Sequence, residues 1–389
     1  MQKVALISYF HYESSLCLAK AISKQGIHVD CYVVVDMHHD TGRIPGLDYH
    51  LAPKRPGLIE LTPDTAPEIY EYTKGLPVNF YLFRIVSYSK KLMFLNRIVF
   101  KHVLKKIRKS QYNAINIVGQ WPWVEIIHDA LKDQNLTHTF HEIGSHYNGE
   151  LSTPLIQAVI RDNSKVIIPS LSTIQRFRTI DSTNRCYSKC IPFGCFETLL
   201  LYRKNTDLEI SFNNDYPTFL YFGYIKPYKG LDLLAEACQK LNESKISYNL
   251  IVAGGGSDPN LPFFKSLDNC VVINRFMSDD EMAYLNEISD VVLLPYKTAS
   301  QSGIVPTSFM FGNPIIATNV GALGEVVKHN INGLLVEPND PEKFAQAIAT
   351  LVTDAGLLKK LKAGVTSFGH DDEYDWRNIA KETIDVLYK

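Results

Sequence analysis

Short apolar runs alternate with stretches of helical periodicity along the whole chain. Residues 3–10 form one such run and residues 14–25 a helical pattern behind it, and apolar runs recur at 28–36, 115–119 and 165–170. A second series follows at 218–223, 249–254, 270–275, 290–295, 314–319 and 333–337. These runs are rich in Val and Ile and apolar on both faces, the pattern of parallel strands covered by helices on either side. The polar stretch 202–217 (YRKNTDLEISFNNDYP) separates the two series. The expected fold class is therefore α/β, with two doubly wound Rossmann-like domains facing across a cleft. The expected bounds are 1–200, 201–370 and a last helix over 371–389 crossing back to the first domain. Trp376 in that helix is read as packing. Ligands of such sheets sit at the carboxyl ends of the strands, so the cleft is the default site.

The length of 389 residues agrees with two domains rather than one. Forty Lys+Arg against forty-one Asp+Glu give a net charge of -1, which argues against a nucleic-acid partner. The charge is uneven: residues 1–200 hold 23 basic and 17 acidic side chains (+6), and residues 201–389 hold 17 and 24 (-7), summing to -1. Seven Cys without a CxxC pair offer neither a zinc spacing nor a disulfide framework. The first residues turn polar too early for a signal peptide, and no uncharged apolar run spans a bilayer. A cytoplasmic protein, soluble or peripheral on the inner face of the membrane, is expected.

The chemistry concentrates in the second half. In TFLYFGYIKPYKG a strand ends at Gly223, and a loop with Lys226 and Lys229 leads into a helix. Two ammonium groups at a strand end suit an anionic ligand such as a diphosphate; the alternative is two solvated loop lysines. IVAGGGSD runs a strand into three glycines, which allow close approach of a backbone or merely turn the chain. LLPYKTASQSGIVPTSFMFG places a loop of small residues before a helix whose free N–H groups could hold a phosphate, or an ordinary capped βα loop.

Residues 222–338 resemble the donor domain of the family-4 retaining glycosyltransferases, which have the two-domain GT-B fold. The matching pieces, in one order, are YFGYIKPYKGLDLLAEA, LIVAGGG, VVINRFMSDDEMAYLNEISDVVLLPY, SQSGIVPTSFMFGNPIIATNVGALGEVV and NGLLVEPNDPEKFAQAI. The resemblance implies that Lys229, with Lys226, neutralises the leaving diphosphate. It implies donor contacts from Gly223, Tyr224, Gly254 and Gly255. Ser300, Gln301, Ser302 and Gly303 would cradle phosphate and sugar. The backbone at Arg275 and Phe276 would pair with the nucleobase. Glu325 follows the glycine turn as the family's polar position does, or is a solvated helix-start carboxylate. Three features depart from the family. Tyr224 stands where it usually carries Arg. The pair of Glu separated by seven residues is absent, with Thr307 at the second position, as in a QSG-type branch. The first-loop Gly-Gly is also missing.

In the first half, THTFHEIGSHYNGE ends an apolar stretch at His141-Glu142. The resemblance implies that His141 faces the donor sugar; a satisfied structural His is the alternative. His146, Glu142 (able to orient His141, or a helix-start carboxylate), His11 and Glu13 are acceptor-side candidates. No third ligand completes a metal site there. With cations available to the leaving phosphate and no Asp-x-Asp at a strand end, no metal or other cofactor is expected. Residues 88–111 carry eight Lys/Arg and no acid, with apolar residues at 94, 98, 100, 103, 104 and 107. They suit an anionic membrane surface, or a surface helix whose apolar stripe is core.

The resemblance therefore implies a hexosyltransferase of the retaining type. It would take a UDP- or GDP-sugar to a glycan or lipid-linked acceptor, in surface-polysaccharide synthesis by family frequency. Two alternatives stay open: a sugar-nucleotide epimerase on the same fold, and a non-catalytic subunit that keeps the fold.

Overall fold

The computed structural model describes residues 2–9, 11–36, 55–87, 90–120, 124–143, 154–202, 206–213, 215–299, 302–368 and 373–389. The chain divides into two compact units, one of Met1–Leu201 with Asp372–Lys389, the other of Tyr202–Asp371.

The first unit is built on strands β1 (Lys3–Ser8), β2 (His28–Asp36), β3 (Gly57–Glu60), β4 (Val78–Ile85), β5 (Ala114–Val118), β6 (Leu136–Thr139), β7 (Lys165–Ile168) and β8 (Ser188–Cys190). They form one sheet in the order β3-β4-β2-β1-β5-β6-β7-β8. All neighbours are parallel except the edge strand β3, which runs antiparallel to β4. Val4, Ala5, Leu6 and Ile7 point alternately to opposite faces, and all four are fully buried. Both faces are therefore covered, which is why the strand reads as an unbroken apolar run.

The second unit uses β9 (Thr218–Phe222), β10 (Asn249–Ala253), β11 (Cys270–Ile273), β12 (Val291–Leu294), β13 (Ile315–Thr318) and β14 (Gly333–Val336). Its sheet is parallel throughout, in the order β11-β10-β9-β12-β13-β14. Phe219, Leu220 and Leu293 lie at its centre, fully buried. The doubly wound α/β architecture expected from the alternation is what the chain adopts.

The order of strands locates a crevice in each sheet. In the first, the chain winds outward from β1 through β2 and returns to start again at β5. In the second it winds from β9 through β10 to β11 and returns at β12. Loops leaving β1 and β5, or β9 and β12, part in opposite directions, and a gap opens beyond their carboxyl ends.

The last helix, Trp376–Tyr388, belongs to the first unit. The Trp376 indole N–H donates to the Cys195 carbonyl at 2.7 Å, deep in that unit. At the helix's far end, Asn135 Nδ2 and Lys165 Nζ donate to the Leu387 carbonyl at 2.8 and 2.6 Å, satisfying an acceptor the helix itself leaves open. All seven cysteines are free thiols.

Candidate active site

In the second unit the β9/β12 crevice is lined from both sides. Gly223 follows β9, and a short turn, Pro227–Lys229, brings Lys229 back over the strand end. The Lys229 ammonium stands 2.9 Å from where a Cβ on Gly223 would be, and Gly223 itself has φ +108°, a conformation that favours glycine. From the β12 side, the Tyr296 ring centroid lies 5.2 Å from the same ammonium. Lys229 is buried, and burial pulls its pKa below the usual lysine value. Among the described residues it forms no ion pair. A buried cation without a counter-ion is costly, and a cleft that keeps one is prepared for an anion. Lys226 is exposed, its ammonium 5.8 Å from the exposed ring of Tyr224.

The neighbouring loops crowd the same strand ends. Gly254 has φ +145°, and a Cβ there would fall 1.9 Å from the Gly223 carbonyl oxygen, so this glycine permits the contact between the β9 and β10 loops. Gly255 lies against the backbone of Arg275 and Phe276, its would-be Cβ 3.4 Å from Phe276 N. The Arg275 guanidinium is committed elsewhere. It makes a bidentate pair with Glu281, at 2.8 and 2.5 Å, and Glu281 also closes the capping box with Ser278 at the start of helix Asp279–Glu287. That pairing holds the Glu281 carboxyl below the usual carboxylate range. Arg275 Nη1 also donates to the carbonyl of the half-exposed Phe276 at 3.0 Å, so this side chain is held along its own loop.

The helix Ile304–Met310 starts at the crevice, with the Ile304 side chain 3.1 Å from the Cβ position of Gly223. Ser302 Oγ accepts from Ile304 N at 3.3 Å, and Gly303 is the N-cap. The Thr307 hydroxyl donates back to the Gly303 carbonyl at 2.9 Å. Its one proton is spent inside the helix, so towards a ligand it can only accept. Glu325 sits half-buried in the short helix Leu323–Val326. Ser300 and Gln301 lie outside the described residues.

The first unit has its own constellation at the β1/β5 crevice. His11 caps helix Tyr12–Ser23, and its ring stacks on His141 with centroids 3.3 Å apart and planes 3° from parallel. His141 stacks in turn on Phe193 at 4.7 Å. Gly119, after β5, has φ +91°, and a Cβ there would come 3.1 Å from the His11 ring and 2.9 Å from the Tyr9 carbonyl. His141 Nε2 is buried without a hydrogen-bond partner among the described residues. Burial lowers the pKa of His11 to about 4, and burial with the neighbouring His11 drives His141 well below its ordinary value, so both rings are neutral at pH 7. The His141 imidazole is sandwiched between the His11 and Phe193 rings, and this stacking holds its plane. The Glu142 carbonyl accepts from the Gln120 side chain at 2.6 Å. Glu13 lies half-buried in the first turn of its helix. His146 is outside the described residues.

This neutral pair predicts how stability depends on pH. Unfolded, each imidazole takes a proton near 6.5; folded, His11 does so only near 4. The unfolded chain therefore binds more protons between those values, and stability falls as pH drops from 6.5 toward 4. Thermal unfolding midpoints taken at intervals over that range check this. A His141→Phe variant, which keeps the stack but cannot titrate, should lose less of its midpoint at low pH than the wild type.

Two residues central to these crevices, Tyr296 and Phe193, went unsignalled in the sequence, where each reads as one more apolar position. One further group, His128, Asp129 and Asp162, is close enough to hold a metal among the described residues. Its atoms are already paired: His128 bridges His138 and Asp162 at 3.0 Å each, and Arg161 grips Asp162 at 2.9 Å. It reads as a structural chain.

Comparison with known proteins finds likeness in sequence and in fold. Residues 216–354 match a family model described as glycosyl transferases group 1. An uncharacterized glycosyltransferase of Methanocaldococcus jannaschii is 29% identical over 183 residues, 46% of this chain and 46% of that one. A D-inositol 3-phosphate glycosyltransferase of Xylanimonas cellulosilytica is 27% identical over 180 residues, 44% and 42% of the two chains. The chain thus matches about half the length of these curated relatives. The fold likeness extends further. Sucrose-phosphate synthase from Thermosynechococcus elongatus has a TM-score of 0.70 at 18% identity, over 99% of this chain and 98% of that one. An Anabaena protein, HepE, solved with UDP and glucose, scores 0.65 at 16% identity over 100% and 99%. The fold is that of the two-domain GT-B glycosyltransferases, and residues 216–354 carry the sequence likeness.

Proposed function

We propose that the chain is a retaining glycosyltransferase of the family-4 type, of a branch that lacks the paired Glu. It moves a sugar from a UDP- or GDP-sugar to a glycan or lipid-linked acceptor in surface-polysaccharide synthesis. The observation that carries this reading is the buried, uncountered ammonium of Lys229 at the β9/β12 crevice. Breaking the bond between sugar and diphosphate leaves negative charge on the leaving phosphate. A fixed cation in a desolvated site stabilises that charge more in the transition state than in the bound donor. Lys226 adds a second, exposed cation. The base would lie beside Gly255 and Phe276, where the backbones of the β10 and β11 loops approach each other.

On the acceptor side, a neutral His141, whose Nε2 lacks a partner among the described residues, can donate to or accept from a sugar hydroxyl. With no protein nucleophile assigned, the departing phosphate oxygen takes the acceptor's proton on the face it leaves. The cations fill the role a metal would otherwise have, so the reaction is metal-independent. The solved relative with UDP-glucose supports a nucleotide-sugar as donor class.

The test is to incubate the chain with UDP- and GDP-sugars, with and without EDTA, and to follow the released sugar by NMR. Slow donor hydrolysis giving the donor's own anomer, unchanged by EDTA, is expected. The inverted anomer, or activity lost to EDTA, would overturn the retaining, metal-free reading.

A further inference from the structure

Helix Met93–Lys109 in the first unit resolves into two apolar stripes. Asn96, Phe100, Val103, Leu104 and Ile107 are buried and form its contact with the core. Phe94 and Ile98 are on the opposite face and stand 63% and 55% exposed. Residues three and four apart share a helix face, so Phe94, Ile98, Lys101 and Lys105 make one continuous strip, with Arg97 and Lys109 at its borders. Arg97, Lys101, Lys105 and Lys109 are all exposed, and none forms an ion pair among the described residues. Arg108, further round, is engaged with Asp133. The core contact is satisfied without Phe94 and Ile98, so their exposure needs another explanation.

We propose that this strip docks on an anionic lipid bilayer, the helix lying along the surface with Phe94 and Ile98 inserted among the acyl chains. Two large apolar side chains ringed by unpaired cations fit a surface that is negative outside and apolar beneath; a soluble polyanion would need the cations but not the two apolar groups. No helix among the described residues is long and apolar enough to cross a membrane, so the contact is lateral. This inference does not rest on the proposed reaction. It places the first unit against the surface where a lipid-linked acceptor resides.

Flotation of the full chain with vesicles tests it, comparing phosphatidylglycerol-containing with pure phosphatidylcholine vesicles at low and high salt. Binding only to the anionic vesicles, weakened by salt, is expected. Lys101→Gln with Lys105→Gln should cut partitioning about thirtyfold, at about fivefold per surface cation. Phe94→Ser with Ile98→Ser should cut it about a hundredfold. Lys101→Arg with Lys105→Arg should retain it. All these positions are exposed, and circular dichroism confirms folding. Equal binding to both vesicle types, no binding, or binding indifferent to the Phe94/Ile98 pair (as for a soluble polyanion) would overturn the proposal.

Discussion

Replacing Lys229 with Ala is expected to lower donor turnover by about a thousandfold, the scale of losing one preorganised charge at a developing oxyanion. The same change should leave the fold intact or make it more stable. The ammonium is buried beside Gly223 and Tyr296 with no counter-ion among the described residues, so the folded state bears its desolvation. Lys229→Met, which keeps the length of the side chain and removes the charge, should raise the unfolding free energy by about 1 kcal/mol while abolishing turnover. Such opposed effects mark a group kept for function. Lys226→Ala should cost far less, about tenfold, because an exposed ammonium is already screened by water. Steady-state turnover and denaturant unfolding of the variants measure both sides. A Lys229→Met chain that unfolds more easily yet still turns over would reassign the residue to structure.

The second large effect is expected at Gly254. Alanine there would bring its Cβ to 1.9 Å of the Gly223 carbonyl and would have to adopt φ +145°, a region closed to side chains. The β9 and β10 loops must separate, and with them the ladder continued by Gly223 N to the Ala253 carbonyl at 3.0 Å and by Ile225 N to the Gly255 carbonyl at 2.9 Å. A loss of about 3 kcal/mol in stability is expected. Nucleotide affinity should fall more than a hundredfold, because moving the loop displaces the backbone facing Phe276. Calorimetric titration beside thermal unfolding checks both; a well-folded Gly254→Ala variant with unchanged affinity would remove this loop from the site.

The two sheets were legible in the sequence because each strand is buried on both faces and so stands out as an unbroken apolar run. The run at 28–36 coincides with β2, and the others run a residue or two past the strands into the loops at their ends. Strands β3, β4 and β8 were not picked out. β3 and β8 are short, and β4 (VNFYLFRI) alternates with polar residues at its first positions. In the second unit the site lay close to hand, since Gly223, Lys229, Gly254 and the residues around Gly303 all come from loops at strand ends.

What could not be read was which groups meet across long separations. His11 and His141 were singled out separately, and nothing in their spacing says that their rings stack. Arg275 stood in the sequence beside the expected base site, but its side chain belongs to a helix cap six residues on. Thr307 stood in the sequence at the second Glu position, and nothing in its spacing says that its hydroxyl donates to the Gly303 carbonyl. The helical pattern at 88–111 merged two apolar stripes into one set, and only packing separates the core face from the exposed one. Such contacts depend on tertiary geometry that no local pattern encodes.

The central claim is that the β9/β12 crevice, with Lys229 at its base, holds a nucleoside diphosphate without a metal. The measurement that tests it most directly is a calorimetric titration of the chain with UDP, GDP, ADP and CMP, each with and without EDTA. Clear binding of one diphosphate is expected, unaffected by EDTA and lost in Lys229→Ala. Binding of none of the four, or binding that Lys229→Ala leaves unchanged, would contradict it and would favour a subunit that keeps the fold without the reaction.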